Sequence, residues 1–102
     1  MSRTSTMHLR ALLQQAIEVF ERCRTLYPTS PVPPYNLACA HALMPHPDSA
    51  LHTAVYWAGV ASELGMEGEA FLEDGDLWHL RGIPAFDRIT ATRKGSHRKK
   101  KS

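Results

Sequence analysis

The first 93 residues of this 102-residue chain contain no lysine. Every lysine falls in the closing stretch RKGSHRKKKS, residues 93–102, which holds six of the twelve basic residues and no acid. Residues 1–92 carry six arginines against ten acids, a net of −4 hidden under an overall charge of +2. This division implies a mildly acidic body followed by a basic disordered tail.

Other absences narrow the class further. No run approaches the roughly 18 apolar residues of a membrane helix, and no continuous apolar h-region marks the N-terminus as a secretory leader. There are only two cysteines, Cys23 and Cys39, each among apolar neighbours, so free thiols in a reducing, intracellular and cytoplasmic setting are expected. The short basic run can also serve as a nuclear import signal, and the acid-poor first 17 residues faintly resemble an organelle transit peptide. No alternating β-branched run and no Asn-Gly or Asp-Gly hairpin between such runs occurs, so strands are not expected.

Helical periodicity is present instead. Leu9, Leu12, Leu13, Ala16, Ile17, Phe20 and Cys23 form one apolar stripe, with Gln14, Gln15, Glu18, Glu21, Arg22 and Arg24 opposite. Ser5 or Thr6 can cap this helix, and Pro28 ends it. After the stiff connector PTSPVPP, Pro34 can open a second helix, where Leu37, Ala38, His41 and Ala42 share a face. Asp48 or Ser49 can cap a third, with Leu51, Ala54, Val55, Ala58, Ala61 and Leu64 in line and Gly65 as its C-terminal stop. The boundaries expected are about 6–27, 34–44 and 48–64. Three short helices follow to about 91, with Phe71, Leu72, Leu77, Leu80, Ile83, Phe86 and Ile89 covering an otherwise exposed helical face. The fold class is all-α, in one domain over 1–92 with the tail at 93–102.

The spacing of these residues is similar to that of tetratricopeptide repeats. That pattern has W-x2-L-G-x2-Y on one helix and A-x3-F followed by proline on the next. Ala16, Phe20 and Pro28 supply the second half, and Pro34, Leu37, Ala38 and His41 occupy the first half of the following repeat. Ala16 and Ala38 lie 22 residues apart, the separation expected across adjacent repeats. The stretch from Asp74 to Phe86 (Asp74, Asp76, Leu77, Leu80, Arg81, Pro84, Phe86) resembles the DxDLxxLRxxPxF run that closes many such arrays. The resemblance implies antiparallel helix pairs ending in a cap, a fragment of an α–α superhelix that binds a protein or peptide partner and is not an enzyme. With about one and a half repeats, it also implies self-association, docking on a larger assembly, or reliance on the cap. By the same analogy Tyr35, Asn36, Cys39 and Leu43 line a concave groove.

Three other readings attach to particular residues. Arg93, Lys94, Arg98, Lys99, Lys100 and Lys101 suit non-specific contact with a nucleic-acid backbone, without interleaved aromatics for base stacking. His41, His46 and His52 match no familiar metal-ligand spacing, and Cys39 and His41 stand two apart on a helix and point in different directions. A small metal- or thiol-dependent enzyme is therefore the weakest alternative, and no cofactor is implied. Glu63, Glu67, Glu69, Glu73, Asp74 and Asp76 form an acidic patch expected to cap and solvate short helices, able also to attract a basic partner.

Overall fold

The computed structural model describes residues 2–45 and 48–91, and the side chains of all of these except 2–6 and 48. The basic tail and His46 lie outside the described residues. Five α-helices and one 3₁₀ helix follow one another: α1 (Ser2–Leu26), α2 (Val32–Ala42), α3 (Asp48–Glu63), α4 (Gly68–Glu73), the 3₁₀ helix (Gly75–Leu80) and α5 (Pro84–Ala91). The described residues include no strand. No described helix is long and apolar enough to cross a membrane.

Local chemistry sets the boundaries. α1 has neither proline nor glycine inside it and ends before Pro28, where the Ser30 N–H donates to the Tyr27 carbonyl at 3.1 Å. α2 starts two residues earlier than the expected Pro34, at Val32. Pro33 and Pro34 both fit in its first turn, where an N–H has no intrahelical partner to lose. The Ser30 hydroxyl oxygen accepts the Val32 N–H at 3.1 Å, and the last three residues of the proline connector are a helix start. α2 also stops at Ala42 rather than 44. α3 closes with a Schellman turn: Met66 N–H donates to the Ala61 carbonyl at 3.0 Å and Gly65 N–H to that of Ser62 at 3.0 Å. Gly65 carries the positive φ of 118° that this turn demands.

α2 is the central helix. Its Ala38 and Ala42 meet Ala54, Ala58 and Ala61 of α3, and this alanine seam lets the two helices approach closely. Phe71, Leu77, Leu80 and Phe86 close the same core from α4, the 3₁₀ helix and α5, with the Phe71 and Phe86 rings edge to face at 6.2 Å. On its other side α2 offers Leu37 and Ala40 to Leu13 and Ile17 of α1. The single face expected for α2 is thus two faces, one for each neighbour.

The expected apolar stripe of α1 is buried only in part. Leu13 and Ile17 are covered and Phe20 and Cys23 half-covered, whereas Leu9 and Leu12 are exposed. The reason is length: at ~1.5 Å per residue α1 runs about 37 Å and α2 only about 16 Å, so the one helix cannot cover the other. The overhang stretches the molecule to 55 Å along its longest axis. In the C-terminal half Leu72 is likewise exposed, and Ile83 and Ile89 are half-buried at the edge of the core.

Candidate functional site

A groove of about 350 Å³ runs along the α1–α2 junction and meets the start of the 3₁₀ helix. α1 contributes Leu13, Ala16 and Phe20, α2 contributes Tyr35, Asn36, Cys39 and Ala40, and Leu43 follows as the C-cap of α2. The helical spacing of 35, 36, 39, 40 and 43 puts those five on one side of α2. The four residues singled out from the sequence, Tyr35, Asn36, Cys39 and Leu43, are therefore brought together. Ala16 is half-buried in the groove wall, while Ala38 is fully buried against α3.

The 3₁₀ helix and its N-cap add Asp76 and Asp74 at the groove's edge. Two of the six patch acids thus line a groove, beyond the solvating role expected of the whole patch. Asp74 does more than cap. Its Oδ1 accepts the Asp76 N–H at 2.9 Å, which starts the 3₁₀ turn. Its Oδ2 accepts a short hydrogen bond from the Tyr35 hydroxyl and one from the Cys39 thiol at 3.6 Å. The Tyr35 hydroxyl also lies 3.4 Å from the Ala70 carbonyl, and its ring packs against Phe71 at 5.5 Å. Asp74 therefore ties the C-terminal segment to α2 and fixes the groove's polar end.

Each group's acidity follows from this arrangement. Burial, then the bond to Asp74, holds the Tyr35 phenol well above its usual range. Burial, then the charge of Asp74, pushes the Cys39 thiol up to about 12. Burial works against ionisation of Asp74, but the hydrogen bonds from Tyr35, the Asp76 N–H and Cys39 outweigh it and hold the carboxyl below its ordinary value. At neutral pH the site contains a phenol, a thiol and a carboxylate. A protonated thiol is a poor nucleophile. His41, elsewhere on α2, is half-buried, and that burial lowers its pKa against the opposing pull of Glu21.

Among the described residues, one cluster has the side-chain types and proximity for a metal ion: Cys39, Asp74 and Asp76, with ligand atoms within 4.8 Å of one another. It includes neither His41 nor His52, the described members of the histidine set. The thiol and the Asp74 carboxylate already satisfy each other as donor and acceptor.

Sequence reasoning missed Asp74 as a partner of Tyr35. An acid two residues before another at a helix start is a readable cap signal. The bond across 39 positions of chain is not readable in that way. No protein-family model matches the chain, and no curated protein or solved structure matches it either.

Proposed function

We propose that this chain is a protein-interaction module of tetratricopeptide-like construction, without catalytic activity, and that the α1–α2 groove receives a peptide or helix from a partner. The observation that carries the reading is the groove itself. It has apolar side chains from two helices along its length and hydrogen-bonding groups at one end, the make-up of a surface that takes a side chain and orients a backbone. Asn36 is half-buried there and has both donors and an acceptor to offer an extended chain. A protonated Cys39, engaged with a carboxylate, supports a binding role over a nucleophilic one.

Site-specific photocrosslinking tests this. A photoreactive phenylalanine analogue is placed at Leu43, on the groove rim, or at Leu72, exposed on α4. In the native cell, Leu43 should give a discrete set of protein adducts that Leu72 does not. Identical adducts from both sites, or none from Leu43, would refute the groove reading.

A further inference from the structure

Building on the groove reading above, we propose that the groove's occupant is a linear segment of a partner protein in which an apolar side chain stands beside lysine or arginine. The apolar side chain seats against Leu13, Phe20 and Leu43, and the cation reaches Asp76 and Asp74.

Charge is what distinguishes this occupant from others. Among the described residues, the groove is lined by two carboxylates and by no arginine or histidine. Asp74 keeps its charge under hydrogen bonds from three neutral donors, none of which neutralises it. The Asp76 carboxylate is exposed, and no cation among the described residues pairs with it. A −2 edge next to an apolar floor repels an anionic segment and gives a neutral one only its apolar contacts. A segment carrying both features uses the whole surface. The chain's own tail, RKGSHRKKKS, has the cations but no apolar side chain to place on Leu13, Phe20 and Leu43. It meets half of the requirement and an external segment meets all of it.

The test is selection from a random peptide library displayed on phage, run against the full chain and two full-length variants, D76K and L43S, and repeated on a third in which Lys99, Lys100 and Lys101 are changed to Ser. D76K and L43S fall on exposed side chains, and circular dichroism checks that each variant folds. The expected result is enrichment of peptides with lysine or arginine next to an apolar residue. Synthesised singly, these should bind D76K roughly ten-fold more weakly, bind L43S more weakly too, and lose affinity as salt is raised. Peptides enriched without cations, weakened by L43S but indifferent to D76K, would overturn the charge proposal and leave the groove reading standing. Absence of any L43S-sensitive peptide, from the tail-substituted variant as well, would overturn both. Enrichment seen only when Lys99, Lys100 and Lys101 are changed to Ser would make the tail the occupant. A dimer dissolved by L43S would make it a second copy. Either result overturns the proposal of an external partner.

Discussion

Replacing Gly68 by alanine should destabilise the protein, although alanine is the better helix former. Gly68 opens α4, and a Cβ built on it would lie 2.2 Å from the Thr90 carbonyl oxygen, 2.8 Å from the Thr90 carbonyl carbon and 3.0 Å from its Cα. All three are backbone atoms of α5, so no side-chain rotation relieves the clash. A carbon and a carbonyl oxygen need about 3.3 Å between them, so α4 and α5 must separate by on the order of 1 Å. That movement loosens Phe71 from Phe86, the aromatic pair that joins these helices in the core. Overpacking of this kind costs about 1–3 kcal/mol, or roughly 4–24 °C in Tm for a domain of this size. Gly59 is the internal control. It lies inside α3, and its added Cβ would meet only the Ile89 Cδ1 atom at an ordinary 3.7 Å. Gly59→Ala should therefore stabilise by about 0.5–1 kcal/mol. Urea unfolding followed by circular dichroism reads both. A Gly68→Ala variant as stable as wild type, or a Gly59→Ala variant less stable than it, would refute the packing described for α4, α5 and α3.

Three further outcomes follow from the site and the core. Tyr35→Phe removes the phenol's bond to a partly exposed carboxylate and should cost about 1–2 kcal/mol near neutral pH. The Asp74 carboxyl is depressed in the fold, so its contribution is full above about pH 4 and fades as pH falls through the folded value. The Tyr35 phenol is raised, so its contribution is lost as pH climbs above about 10. A pH-independent gap between the two unfolding curves would contradict this linkage. Cys39, with its thiol pushed up to about 12, should react with iodoacetamide at about pH 8 on the order of a thousand-fold more slowly in the native protein than in urea; peptide mapping of the alkylated thiol measures the ratio, and similar rates would refute the burial of this thiol beside Asp74. Ile17→Ala should cost about 2–5 kcal/mol and Leu12→Ala less than about 0.5 kcal/mol, since Ile17 is 5% exposed and Leu12 62%. Equal costs in chemical unfolding would mean that α1 is covered along its whole length.

The helices were legible because their signals are local. Prolines, the glycine at 65 and an apolar period near 3.6 fix where each begins and ends to within a few residues. The seam of α3 was legible too, since Ala54, Val55, Ala58 and Ala61 form a single row on one helix, and all four are buried. What escaped depends on partner length and on pairing across the chain. Leu9 and Leu12 obey the same period as Leu13 and Ile17, but no pattern within α1 reveals that α2 is too short to reach them. Tyr35, Asn36, Cys39 and Leu43 were grouped by the resemblance to tetratricopeptide repeats, and their 35, 36, 39, 43 spacing lets them line one groove. Asp74 joined them only through the path of α3 and α4, which brings residue 74 back to residue 35.

The exposure of residues 7–12 makes α1 two units of unequal permanence. Residues 13–24 are held by α2 and by Arg24 stacked 5.0 Å over the Trp57 ring of α3, so their amides open with the core. Residues 7–12 have only intrinsic helix propensity, which at that length is marginal in water. Their amides should exchange with solvent by local fraying, at rates set by the helix alone and indifferent to the stability of the rest of the protein. Hydrogen exchange along α1 should therefore step sharply near Leu13, where a single unbroken helix changes from a local structure to a part of the fold.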